Sequence, residues 1–172
     1  MSDSSSRARE LAEAFDRAFE LPERVAEERG GAALAIRVGA DAYLLPLGGL
    51  SAVSRCTKLV ELPGAPPGQI GLTGLRGGLV GVFSLPALLG YDVAPAKIAW
   101  LAMTAGPRSY ALGFEVLDGQ VTLPQANIVA GPADGRRHVS GLLRLDGEAH
   151  ARGVLDVPSI VARLEASSAG AG

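Results

Sequence analysis

The chain has a single cysteine, two histidines and few aromatic residues, and each scarcity removes a class of protein. Cys56, alone in 172 residues, has no intrachain partner, so no disulfide framework is expected and a reducing compartment suits the chain. His138 and His150 have no Cys/His/Asp neighbours at ligand spacing, so neither a metal nor another cofactor is expected. Aromatics make up 5%, leaving Val, Leu, Ile and Ala to fill the core. A formal net charge of -2 without a basic stripe excludes nucleic acid as the expected partner. No apolar run reaches the ~18 residues of a membrane helix. The polar opening MSDSSS lacks the apolar stretch of a secretory signal, so a cytoplasmic location is expected.

What is present suits one packed domain. Hydrophobic residues are 48% and charged residues 20%, enough for a core and too apolar for global disorder. The 23 Gly and 11 Pro mark many tight turns, as in a fold of short strands.

Residues 7–29 read as helix. Leu11, Phe15 and Phe19 recur at i, i+4, i+8 to give one apolar stripe, while Arg9, Glu13 and Arg17 pair along the polar face. Pro22 breaks or kinks this segment and Gly30-Gly31 ends it. From residue 32 the period becomes that of strands. Residues 32–38 and 42–46 flank Gly39-Ala40-Asp41, a hairpin signal, and 48–53 continue as strand. A short extended piece is placed at 57–62 and a helical turn at 69–73. Residues 79–85 show no alternation and read as a strand buried on both faces. Pro86–Leu89 forms one helical turn closed by Gly90.

Further on, 97–104 and 109–114 read as strands. Asp118-Gly119 reads as a hairpin between 115–117 and 120–123, and Asp146-Gly147 as a second between 139–145 and 148–155. Residues 124–137 form a loop. Residues 157–166 form a closing helix with Asp156 as N-cap and Pro158 in its first turn, followed by a frayed SSAGAG tail. About ten short strands and few helices point to a mainly β fold of one or two small barrels.

Residues 62–89, LPGAPPGQIGLTGLRGGLVGVFSLPALL, carry the densest backbone punctuation. They hold no nucleophile–base pair and no metal cluster. Gly71, Gly74, Gly77 and Gly78 lack the Lys-Ser/Thr ending of a phosphate loop, so they serve backbone geometry. Much turn structure with little reactive chemistry suggests a docking surface.

Leu62-Pro63, Ile70-Gly71-Leu72, Leu75-Arg76-Gly77, the strand 80–85 and Leu155-Asp156-Val157-Pro158-Ser159-Ile160-Val161 occur in one order, and in that order the chain resembles the CheW domain. The likeness runs from about residue 32 to 164. It implies two intertwined five-stranded SH3-like β-barrels. The expected organisation is an N-terminal helical extension at 1–31, the CheW-like domain at 32–166 and a flexible tail at 167–172. It implies a non-enzymatic adaptor of a bacterial chemosensory array. Such adaptors bind the tip of a methyl-accepting receptor, the regulatory domain of a CheA-type histidine kinase and other CheW-like proteins. On this resemblance the protein-binding residues are Arg76, Gly77, Leu75, Ile70 and Val53. Phe15 and Phe19 are added by the helix stripe, which either docks on its own barrel or meets a partner. Arg76 either contacts the receptor or pins its own turn.

Several positions depart from the family pattern. Leu50-Ser51-Ala52-Val53 has no carboxylate, Ser84-Leu85 lacks the usual Asp, Glu115-Val116-Leu117-Asp118 stands in for V-D-x-V, and Gly74 stands for Asn. These changes imply an alternative, an auxiliary CheW-like protein that binds receptor or adaptor without the kinase. A small β-barrel enzyme would require convergent polar groups in a pocket. Trp100 is expected in the core or lining an interface between lobes and His138 at a solvated loop end; Cys56, beside Arg55 and Lys58, reads as a small, partly buried Cys rather than as a thiol activated by those cations.

Overall fold

A computed structural model describes residues 31–75, 77–92, 97–124, 128–130 and 136–169. The helix expected at 7–29, with Phe15 and Phe19, lies outside the described residues, as does Arg76.

The first strand, β1 (Gly31–Val38), shows how the sequence builds the core. Leu34, Ile36 and Val38 point to one face and Ala33 and Ala35 to the other, so both faces are buried with the bulk on one side. Gly39, with φ +60, turns the chain through two residues into β2 (Asp41–Pro46). A single 3-10 turn, Leu47–Gly49, leads to β3 (Leu50–Arg55). Then come β4 (Gln69–Leu75), β5 (Gly78–Ser84) and helix α1 (Leu85–Leu89). After β6 (Trp100–Thr104) and β7 (Ala111–Phe114) follow β8 (Val116–Leu123), β9 (Val129–Ala130), β10 (Val139–Leu143) and β11 (Arg152–Leu155). Helix α2 (Val157–Ala169) closes the described chain.

The strands form two sheets, ordered β8-β1-β2-β11-β10-β9 and β3-β6-β7-β5-β4. The chain starts in the first sheet, makes all of the second, and returns to finish the first. Parallel pairing of β11 with β2 records the return to the first sheet, while β5 and β7 pair in parallel within the second. The first sheet has six strands rather than five because the two-residue β9 joins its edge.

The largest core lies between the sheets. Leu34, Ile36 and Leu45 of the first meet Phe83, Leu112 and Phe114 of the second, with Leu85 and Leu89 of α1 and Ile160 and Leu164 of α2. Each sheet has a smaller core on its other face, one around Leu44, Leu143 and Val154, the other around Val82, Leu101 and Met103.

Helix α2 begins as the sequence predicts, whereas α1 begins at Leu85, a residue expected to end the strand 79–85, because Ser84 caps it. Ser84 Oγ accepts from Ala87 N at 3.3 Å, and Gly90 at φ +90 closes α1. Asp156 Oδ1 accepts from Ser159 N at 3.0 Å at the start of α2. That helix continues to Ala169, past the expected end at residue 166.

Three expectations are corrected. Residues 69–73 are strand, not a helical turn, because β4 pairs with β5 from Gln69↔Phe83 to Leu75↔Gly78. Asp118-Gly119 lies inside β8 instead of forming a hairpin. Ala35 faces Gly119 and Ile36 faces Leu117, so Asp118 is the extra residue of a bulge. The strand 79–85 is buried only in its second half, since β5 pairs with β7 only from Val82 to Ser84. Trp100 packs against the large core between the sheets but is half-buried rather than enclosed, with the Arg55 guanidinium 4.7 Å from its ring centroid.

Candidate protein-docking surfaces

The connection between β4 and β5 passes through Gly77 and is closed by the Leu75↔Gly78 pair. Gly77 is exposed at φ +81 with open space where a Cβ would stand. This left-handed conformation, not crowding, is what calls for glycine. Leu75 and Ile70 are half-buried against the small core of the second sheet. Val53 is half-buried on the opposite face of that sheet, against the large core. Gly77 is therefore exposed at a hairpin tip, whereas Leu75, Ile70 and Val53 serve two separate cores.

Exposed apolar side chains cluster in sequence around the same hairpin. Leu79 is 78% exposed, Val60 53% and Leu62 42%. Val60 bridges Leu72 on the outer side of β4, and Leu72 faces Gly81 of β5. Gly71 must be glycine here because a Cβ would lie 2.3 Å from the Val60 carbonyl oxygen. Beside the hairpin tip, Ala52, Leu75, Val80 and Met103 line a cavity of about 170 Å³ with Ser51 and Ser109. The sequence pattern did not point to Leu79, because its exposure depends on how far β7 extends alongside β5.

A second, polar groove of about 730 Å³ opens at the other sheet, among Arg37, Asp41, Tyr43, Arg136, Glu148 and Arg152. Its charges are paired within the chain. Arg152 donates to both Glu148 oxygens, at 2.8 and 2.6 Å, and to Asp118 at 3.4 Å. Arg37 Nε donates to the same Asp118 oxygen at 2.9 Å. The bulge in β8 puts Asp118 within reach of both guanidiniums. Hydrogen bonds from Arg37, followed by its charge and the Arg152 contacts, hold the Asp118 carboxyl below its ordinary range, and hydrogen bonding to Arg152 does the same for Glu148.

At the groove's edge, Tyr91 donates to Asp41. Its oxygen lies 2.7 Å from that of Tyr43, whose hydroxyl must therefore be the donor in that pair. Arg136 sits 3.8 Å over the Tyr91 ring centroid and reaches Asp41 at 3.3 Å. Burial, then the hydrogen bonds to Asp41 and Tyr43, push the Tyr91 phenol up, so it stays a neutral donor. These residues join β2 of the first sheet to the segment after α1, a clamp across the two halves.

Of the two remaining candidates, His138 differs from expectation and Cys56 does not. His138 is half-buried with φ +59, its Nδ1 is 2.7 Å from Ser159 Oγ, and its Nε2 is buried with no hydrogen-bond partner among the described residues. Its carbonyl accepts from Asp156 N at 2.8 Å, which draws the residue inward from the expected loop end. Cys56 is partly buried, as expected, and burial pushes its thiol up. Among the described residues, no three His, Cys, Asp or Glu side chains stand together as metal ligands, and no helix is long and apolar enough to cross a membrane.

No curated protein matches the chain. Among solved structures, the scaffolding protein TtCheW from Thermoanaerobacter tengcongensis is similar. Its TM-score is 0.62 at 14% identity, with 73% of this chain and 88% of that chain covered. At that identity the likeness speaks for the fold. The model of the CheW-like domain matches residues 32–165, the span that holds both sheets, their shared core and most of α2, and the chain belongs to the CheW-like family.

Proposed function

We propose that the protein is a non-enzymatic adaptor of a bacterial chemosensory array, with its two sheets acting as the intertwined SH3-like barrels of the family. In this reading it works in the cytoplasm, at the arrays, and couples a methyl-accepting receptor tip to a CheA-type kinase. The observation that carries the reading is the CheW-like match across residues 32–165. The surface chemistry agrees with it. The hairpin 75–78 presents an exposed glycine turn flanked by apolar side chains, a surface for protein contact. The polar groove carries guanidiniums and carboxylates that neutralise one another, and such pairs support a structure better than they support proton transfer.

A second reading is an auxiliary adaptor that binds receptor or another CheW-like protein without engaging the kinase. It is favoured by β3, an edge strand of the second sheet whose residues Leu50–Arg55 include no carboxylate. One titration separates the two. Full-length protein is mixed with the purified kinase regulatory domain and, separately, with the receptor signalling tip. Binding to both supports the coupling adaptor, receptor binding alone supports the auxiliary form, and binding to neither defeats both. Arg76→Glu is expected to weaken receptor binding at least about tenfold by reversing the charge next to Gly77 in sequence while leaving the melting temperature unchanged. Unaltered receptor affinity would remove Arg76 from the site.

A further inference from the structure

The polar groove of the first sheet has the size of a binding site. Its volume of about 730 Å³ falls in the range of about 300–1,000 Å³ that encloses most of a small organic ligand. Polar groups converge on it from three elements: Arg37 from β1, Arg136 from the residues just before β10, and His150 from the connection between β10 and β11. Between them the wall is made of Ala40, Ala42, Ala149 and Ala151, whose methyl groups leave the space open.

The carboxylates of the groove are satisfied, but its donors are not. Both Glu148 oxygens accept from Arg152, all three of whose nitrogens are committed. Asp41 Oδ2 accepts from both Tyr91 and Arg136. Arg37 commits only Nε, to Asp118, and its two terminal nitrogens carry no hydrogen bond among the described residues. Its side chain is 57% exposed. His150 is exposed and has no hydrogen-bond or ion-pair partner among the described residues. Asp118, Asp41 and Glu148 balance the three arginines in charge. What stays in excess is therefore N–H groups, since each guanidinium carries five.

We infer that this groove binds a carboxylate-rich segment of a partner protein, with the terminal nitrogens of Arg37 as the main donors and Arg136 and His150 beside them. An ionised carboxylate brings acceptors and no donors, so it answers the excess without adding groups that need partners of their own. A neutral amide brings two N–H groups that the satisfied carboxylates here are poorly placed to accept. Guanidinium–carboxylate contacts are also charge-assisted and often bidentate. A segment suits the groove better than a lone carboxylate because the volume far exceeds one such group, and the alanine methyls cover the methylenes of glutamate side chains. The groove belongs to the first sheet and the hairpin 75–78 to the second, so this site is additional to the surface assigned above.

Amide chemical shifts of the full-length protein, followed during titration with N-acetylated, C-amidated hexaglutamate, test this. No kinase or receptor enters, so the outcome is independent of the adaptor reading. Saturable shifts are expected at residues 40–42 and 149–153, and hexaglutamine is expected to cause none. Arg37→Gln, an exposed change near the end of β1 that leaves Asp118 paired with Arg152, is expected to weaken binding at least about tenfold, the worth of one charge-assisted hydrogen bond. His150→Ala, exposed on a different element, is expected to weaken it in the same direction. Shifts that do not saturate or that fall elsewhere, equal binding of hexaglutamine, or wild-type affinity in both variants overturns the inference. Glutarate binding as tightly as hexaglutamate overturns the protein segment in favour of a free small carboxylate.

Discussion

Tyr91→Phe removes one hydroxyl, and the structure says what that should cost. The Tyr91 oxygen accepts from Tyr43, whose residue is 3% exposed, and its hydrogen goes to Asp41. Without it, the Tyr43 hydroxyl is left inside with no acceptor, a loss of about 1–3 kcal/mol. Tyr91 itself is half-buried, so water partly replaces the missing atom and the expected value is about 1–2 kcal/mol. For a chain of this size that lowers the melting temperature by roughly 2–8 °C. The Arg136 guanidinium over the Tyr91 ring keeps its stacking in the Phe variant, which confines the change to the hydroxyl. Tyr43→Phe removes the other partner and is expected to cost less, because the more exposed Tyr91 oxygen can take water. In the double variant neither hydroxyl is stranded, so its loss should fall short of the sum of the two by at least about 0.5 kcal/mol. Urea unfolding of the wild type and the three variants closes the cycle. Additivity within about 0.3 kcal/mol would show that the tyrosines do not act as a clamp between the halves.

Two further outcomes follow from α2 and its anchor. Asp156→Ala deletes the acceptor for Ser159 N and should cost about 0.5–2 kcal/mol, with Asp156→Asn recovering most of it; equal losses in a denaturant melt would assign the role to charge instead of capping. Burial, then Arg163 and Arg137, lowers the His138 pKa against the opposing pull of Asp156. The fold therefore favours neutral imidazole, while the unfolded chain takes up a proton near pH 6.5. Stability from this residue is complete above that pH and is lost as pH falls from there toward the depressed folded value. His138→Asn, which tolerates the left-handed backbone, should lack that part of the acid slope, and identical slopes in thermal melts would refute the assignment.

Local chemistry was legible where one or two residues decide it. Pro86 and Gly90 bracket α1, Asp156 and Pro158 start α2, and Gly39 turns β1 into β2. In each case the deciding interaction spans a few residues and needs no distant partner. Asp118-Gly119 shows the limit. The dipeptide suits a hairpin, yet pairing with β1 along nearly the whole of β8 outweighs a local turn and turns the same residues into a bulge. Gln69–Thr73 fails in the same way, through the ladder with β5. Of the candidate docking residues, the exposed turn at Gly77 was readable from glycine chemistry, whereas the inward placing of Leu75, Ile70 and Val53 was not.

By itself the sequence determined the class of protein: a mainly β fold, turns placed by glycine and proline, a closing helix capped by Asp156, and a motif order that belongs to the CheW-like family. Only the tertiary structure decided that Leu79 stands in solvent, that Asp118 joins Arg37 to Arg152, and that Asp41, Tyr43, Tyr91 and Arg136 meet. The physical reason is range. Propensity and capping act over a few residues, but these contacts depend on sheet register and on a chain that leaves one sheet, builds a second and returns, bringing together residues as many as 95 positions apart.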